Sequence, residues 1–353
     1  METTHEKGRQ MNSDGSTLNP RERLGRSQRG AALDRTPISF WRHFPNEDQD
    51  PGQLIEAMLA FQERYRLDLV KLMPSGMYSV VDYGAITSPP DPSSGARGLA
   101  SGPINQMSDF GALAPAIPDR GSLHAQLGVA STVRKAVPVD VPVLDTVFSP
   151  LTMAAKVSGR SARELVDASR AELHRGLERM AADCIAFAQA DLANGIDGIF
   201  YAIQWAGQGI LSAAEQEEFG VRYDLEVLNT LRSQSQITML HLHGPNPEFS
   251  IVQHYAADWV NWEDTETPPT LEQALKLTSA GLAGGITRTP SELSPSSDIA
   301  LATLRSAIRV TAGTRLLLAP GCVLPQEASP EVLDALREAV EPDSPGASFG
   351  VAH

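Results

Sequence analysis

The stretch SAAEQEEFGVRYDLEVLNTLRSQSQITMLHLHG, residues 212–244, decides the fold. Residues 212–233 carry the pattern of a helix. Ser212 is its N-cap, and Glu215 three positions later completes a capping box. QITMLHLH (236–243) is a short, nearly continuous apolar run, ended by Gly244-Pro245. A capped helix feeding a strand that is apolar on both faces is one unit of a parallel sheet covered by helices.

The unit recurs in both directions. Upstream, TPISFWRHF (36–44), LDLVKLM (67–73), VPVLDTVFS (141–149) and GIDGIFYAIQ (195–204) predict strands. Between them, residues 53–65 place Leu54, Met58, Phe61 and Tyr65 on one helical face, and 161–194 carry long helical periodicity. Downstream, a short helix (246–257) precedes strands at DWVNWE (258–263), LAGGIT (282–287) and TRLLLAPG (314–321). Helices are expected over 270–280, capped by Thr270, over 298–313, ending at Gly313, and over 329–341. About eight β–α repeats fit an α/β fold of the closed (β/α)8 TIM-barrel type, in a single domain. No G-x-G-x-x-G follows the first strand, which argues against a dinucleotide fold.

Four regions follow from this frame. Residues 1–34 are polar and charged and predict a disordered tail. Residues 35–342 form the barrel. Within it, 85–136 is rich in Pro, Gly and Ser in its first half and predicts a long loop or lid. Residues 343–353 predict a loose C-terminal tail.

The net charge of −14 argues against partnership with nucleic acid or an anionic membrane. No run reaches the roughly 18 apolar residues of a membrane span, and the N-terminus has no secretory h-region. With two cysteines, Cys184 and Cys322, a disulfide framework is excluded and a cytoplasmic setting expected. Cys184 lies in a helical pattern and reads as a small buried hydrophobe.

Barrel chemistry gathers at the C-terminal strand ends. There fall Arg42 and His43, Lys71, Asp145, Tyr201 with Gln204, the pair His241 and His243, and Cys322. The i, i+2 spacing sets both histidines on one strand face. With Cys322 they suit Zn²⁺ with one position open. Equally, an H-x-H can close a strand, cap loops or bind a carboxylate, and Cys322 can be a small residue in a tight turn. Arg42-His43 reads as an anion clamp, or as a surface pair beside Asp48 and Asp50. Lys71 reads as a substrate contact or as half of a buried ion pair. Asp145 is a candidate fourth ligand. Tyr255, Trp259 and Trp262 read as packing residues.

Three stretches carry a resemblance. SQITMLHLHGPNPEF resembles the strand bearing a His-x-Cys-Gly motif in the uroporphyrinogen decarboxylase superfamily. TRLLLAPGCVLPQEASPEVLDALREAV resembles its near-C-terminal Gly-Cys segment, turn and helix. VPVLDTVFSPLTMAAKVSG resembles its Pro-hydrophobic-Thr segment. In order and spacing the likeness covers roughly 36–342, and it implies a (β/α)8 barrel. True uroporphyrinogen decarboxylases carry an Arg-Gln-Ala-Gly-Arg-Tyr stretch near the first strand. Here SFWRHFPNEDQ leaves only Arg42, so porphyrinogen itself is not the expected substrate.

The zinc-dependent methyl and alkyl transferases of the superfamily use His-x-Cys and a distant Cys. This sequence resembles them at His241 and Cys322, with His243 where the first Cys is expected. The resemblance implies a thiol-activating zinc enzyme, with a corrinoid held only by a separate partner protein and a small-molecule substrate. Replacing one thiolate by imidazole makes such a site less negative and a stronger Lewis acid. Two alternatives stay open. One is a metal-free decarboxylase or other lyase using Arg42, His43 and Lys71 as anion contacts. The other is a non-catalytic barrel subunit. A homodimer is expected from barrel precedent.

Overall fold

In the structure, a computed structural model describing residues 17–341, the expected alternation is present. The strands are β1 (Val70–Lys71), β2 (Ile86–Pro90), β3 (Arg97–Ser101), β4 (Val143–Phe148), β5 (Gly198–Ile203), β6 (Ile237–Leu242), β7 (Trp259–Asn261), β8 (Gly281–Ile286) and β9 (Leu316–Pro320). Helices α1 (Pro20–Gln28) and α2 (Pro51–Tyr65) precede β1. Helices α3 (Tyr78–Val81) and α4 (Gly121–Ala136) lie before β4, and α5 (Pro150–Ser158), α6 (Ala162–Ala168) and α7 (Arg170–Ala193) before β5. Then come α8 (Ala213–Glu215) and α9 (Arg222–Leu231), joined by a π-helical turn at Gln216–Val221. Helices α10 (Leu271–Leu277), α11 (Ile299–Thr311) and α12 (Pro330–Glu338) complete the set. Ser212 and Thr270 cap α8 and α10 as expected, Ser212 through the box legible in the sequence and Thr270 through one it forms with Gln273.

Seven strands form one parallel sheet in the order β1-β4-β5-β6-β7-β8-β9, while β2 and β3 make a separate antiparallel hairpin. The sheet closes through residues 37–39. Leu318 N–H donates to Pro37 O at 2.9 Å and Ser39 N–H to Leu318 O at 2.8 Å on one side; Asp68 N–H donates to Ile38 O at 2.9 Å on the other. This segment is the eighth stave of the barrel. The longer strand expected over 36–44 is not formed: its one bridge is Ile38 to Leu318. Pro37 has no amide hydrogen to extend the ladder. Residues 249–254 form a 3₁₀ turn rather than the helix expected over 246–257.

The N-terminal tail expected over 1–34 needs correction from residue 17 onward; residues 1–16 and the tail at 343–353 lie outside the described residues. Asn19 and Glu22 form a capping box that starts α1. Ser27 Oγ donates to Leu316 O at 2.7 Å, fixing α1 across the start of β9. Arg23 and Arg35 both pair with the fully buried Asp68, which also accepts the Ile38 amide. A polar sequence is ordered here because its arginines find a buried carboxylate; composition cannot show that. The long loop expected over 85–136 is likewise corrected: it holds the β2–β3 hairpin, a 3₁₀ turn at Met107–Ala112 and α4.

Side-chain parity sorts the strands. Register pairs Lys71 with Leu144, Thr146 with Phe200, Ala202 with His241, and His241 with Asn261, so these side chains share the inner face. The alternate residues face the helices and make the main core.

Candidate metal centre

At the C-terminal strand ends lies a cavity of about 360 Å³. Its lining includes His241, His243 and Cys322, together with Lys71 and His43. One ligand atom from each of His241, His243 and Cys322 lies within 4.8 Å of the others. Cys322 Sγ is 3.4 Å from His243 Nδ1. Zn–N and Zn–S bonds of about 2.0–2.3 Å at tetrahedral angles put donor atoms about 3.3–3.6 Å apart. The thiol–imidazole pair already has that spacing.

Backbone geometry brings Cys322 to the histidines. A Cβ on Gly321 would come within 2.6 Å of both Glu263 Cα and Trp262 O, so only glycine lets the end of β9 pack against the turn after β7. Gly244, at φ 95°, turns the chain away immediately after His243.

The environment of His241 selects its tautomer. Asn261 Nδ2 donates to Ala283 O at 2.8 Å and to Pro320 O at 3.1 Å, which leaves its Oδ1 as an acceptor. His241 Nδ1 lies 2.7 Å from that oxygen, so Nδ1 carries the proton and Nε2 keeps a free lone pair. The ring stacks on Phe200, centroids 5.1 Å apart. Burial holds His241 and His243 below the usual imidazole range, in the neutral form a metal needs. Burial pushes the Cys322 thiol up, but a hydrogen bond and charge from His241, with Arg288 nearby, leave it below its ordinary value. Two imidazoles and a thiol, a donor set of nitrogen and sulfur, fit Zn²⁺.

The other expected residues divide. His43 lines the cavity, driven down to about 3 first by burial and then by Lys71 and Lys156, so it is neutral there. Lys71 is buried with its Nζ 4.4 Å from the Phe200 ring centre and 2.8 Å from Met73 Sδ. Among the described residues it belongs to no ion pair, against one of the two expectations; burial lowers it to about 8.

Arg42 is corrected: its guanidinium is held by Gln326 Oε1 at 2.6 Å, outside this cavity. Tyr201 is corrected as well. It alternates with Phe200 and Ala202, faces the helices and donates to Asp224 of α9 at 2.8 Å. Asp145 faces outward by the same parity, accepting from Gln126 of α4 at 2.8 Å, so it is no fourth ligand. Cys184 is buried with Sγ 3.1 Å from Met153 Sδ, as its place in a helical pattern implied.

Four further residues shape the site. Asn261 and Arg288 stand at or just past strand ends, where the barrel rule could have found them. Arg288 pairs with Glu263 at 3.2 Å and Glu266 at 3.3 Å. Arg97, in the β2–β3 hairpin, pairs with Asp48 at 2.9 Å and brings the hairpin to the cavity mouth. Lys156 of α5 lies within the VPVLDTVFSPLTMAAKVSG stretch but was not singled out as a site residue; its Nζ lies 4.5 Å from the Phe148 ring centre.

The family model for uroporphyrinogen decarboxylase (URO-D) matches residues 19–342. The chain belongs to the URO-D family. Solved structures agree on the barrel. A methyltransferase from Methanosarcina mazei is 19% identical with a TM-score of 0.74, covering 91% of this chain and 98% of its own. A putative vitamin-B12 independent methionine synthase from Listeria monocytogenes has a TM-score of 0.53 at 14% identity, covering 87% and 95%. A B12-independent methionine synthase from Shewanella sp. W3-18-1, in complex with selenomethionine, has a TM-score of 0.50 at 13% identity, covering 87% and 91%. At these identities the likeness shows the fold alone. No curated protein matches. No described helix of this URO-D family member is long and apolar enough to cross a membrane.

Proposed function

We propose that this URO-D family member is a zinc-dependent methyl or alkyl transferase that activates a thiol. The carrying observation is the convergence of His241, His243 and Cys322 on one point at the barrel mouth, with the His241 tautomer fixed by Asn261. Zinc held there would supply a Lewis acid that keeps a substrate thiol ionised at neutral pH. The chain's own groups do the rest. Asn261 and Phe200 fix the His241 ring. Trp41, Met73, Phe148 and Val323 line the cavity with apolar surface and limit water. Neutral His43 stands beside them as a hydrogen-bonding group that holds no competing charge. The likeness to a methyltransferase and to two methionine synthases supports methyl transfer. A separate corrinoid protein is the partner this reading allows as alkyl donor.

A second reading, a lyase or decarboxylase acting on a carboxylated small molecule, is favoured by Lys71 and Lys156 in the cavity wall. The withdrawal of Arg42 from the cavity weighs against it.

Metal analysis by inductively coupled plasma mass spectrometry tests the first reading. About one zinc per chain is expected, and its loss in His241→Ala and Cys322→Ala. Unchanged zinc in both variants would overturn it.

A further inference from the structure

A second cavity, of about 240 Å³, shares no lining residue with the one that holds the His241–His243–Cys322 cluster. Three segments enclose it: the loop after β5, the π-helical turn at Gln216–Val221, and the chain running from Glu248 into the 3₁₀ turn at 249–254. The fold holds these walls together. Gly207 bridges to Pro247, and Glu248 N–H donates to Ala206 O at 2.7 Å. Phe219 pins the π turn to α7 by stacking on His174, ring centres 4.8 Å apart. Gln216 is 8% exposed and lines the cavity, yet its amide nitrogen is buried with no hydrogen-bond partner. A Cβ at position 220 would come within 2.5 Å of that nitrogen, so Gly220 makes the room the amide occupies. An amide buried unpaired is costly, and a ligand oxygen would complete it.

Glu217 and Glu248 bring two carboxylates to the same cavity, and no lysine or arginine lines it. Glu217 has His254 Nδ1 at 3.9 Å, and Glu248 accepts from Ser250 Oγ at 2.6 Å; among the described residues neither pairs with a lysine or arginine. The acids join no three-donor cluster of metal spacing, the one such group among the described residues being His241, His243 and Cys322. Leu211, Val221 and Ile251 complete the wall with apolar surface. Carboxylates without a cation, an unpaired amide and an aliphatic wall suit an organic cation rather than a bare metal ion. We infer that this cavity binds a small alkylammonium ligand bearing a hydroxyl or carbonyl oxygen, its ammonium at Glu217 and Glu248 and its oxygen at Gln216. It is an accessory site. Glu248 follows His243 by five residues, so its wall is continuous with the chain that leaves the candidate metal centre.

Titration calorimetry on the full chain tests this with probes of matched length: aminopentanol, pentylamine, pentanediol and hydroxypentanoate. Aminopentanol should bind at least about tenfold tighter than pentanediol, which lacks the charge, and hydroxypentanoate should show no binding. Glu217→Gln and Glu248→Gln should each remove most of the advantage of aminopentanol over pentanediol. Gln216→Met, of similar length without the amide, should weaken aminopentanol and leave pentylamine unchanged. Equal affinity for aminopentanol and pentanediol overturns the site. So does an advantage that persists in both glutamate variants, which would put the cation elsewhere in the protein. Aminopentanol binding no tighter than pentylamine overturns the role given to Gln216.

Discussion

His241 Nδ1 donates to Asn261 Oδ1 across 2.7 Å, from β6 to the adjacent β7. Asn261 is fully buried and its amide is anchored by two carbonyls, so it cannot turn to offer a donor instead. Asn261→Ala should weaken zinc binding by about 10–100-fold, the usual cost of losing an outer partner of a ligating imidazole. Asn261→Asp keeps the acceptor but turns an oxygen toward the Ala283 and Pro320 carbonyls in place of the donor, so it too should bind zinc more weakly than wild type. Competition with a chromogenic chelator reads both, and alanine affinity equal to wild type would refute the role.

His243 stands where the transferases that this sequence resembles carry cysteine. His243→Cys should add a second thiolate and roughly double the sulfur-to-metal charge-transfer absorbance of the cobalt-substituted protein. Its affinity for soft metals should also rise, since each thiolate adds negative charge and softness. No change in absorbance would mean that position 243 does not reach the metal.

Asp224 accepts from Tyr201 and Tyr255, each at 2.8 Å, and burial raises its carboxyl to about 7 from 3.8. Between those two values the folded protein holds a proton that the unfolded chain has released. This group's contribution to stability therefore falls as pH rises from about 4 to about 7, and is constant outside that window. Asparagine imitates the protonated form at every pH. Asp224→Asn should gain on wild type by a few kcal/mol between pH 4.5 and 7.5, measured by urea denaturation. A gap independent of pH would show that Asp224 titrates normally.

Asp68 ties α1 to the barrel floor through Arg23, and the segment leading into residues 37–39 through Arg35. Asp68→Ala leaves two guanidinium groups buried without their shared partner and should cost about 3–5 kcal/mol. Denaturation monitored by circular dichroism checks it. A loss below about 1 kcal/mol, the range of surface pairs, would show that Asp34 and water suffice for the arginines.

The alternation of capped helices with short apolar strands was enough to specify a barrel, because capping boxes and two-sided apolar runs are local features. The Ser212 and Thr270 caps sit where the sequence put them. The i, i+2 histidines and the strand-end cysteine were legible for the same reason: strand periodicity fixes which residues share a face. Parity against the barrel axis was not legible, since it depends on register with neighbouring strands. One residue of phase separates Tyr201, turned to the helices, from Phe200 beneath Lys71. Arg42 was misplaced because its partner, Gln326, is remote in sequence.

By itself, then, the sequence determined the fold class and named the three metal-ligand candidates. Only the tertiary structure brought Cys322 within 3.4 Å of His243, since that approach depends on Gly321 packing against the turn after β7. Only the tertiary structure, too, supplied Asn261 as the partner of His241 and Lys156 as a second lysine in the cavity wall. Local pattern sets what each segment becomes. Contacts between segments distant in the chain exist only once the barrel closes, and those contacts make the site.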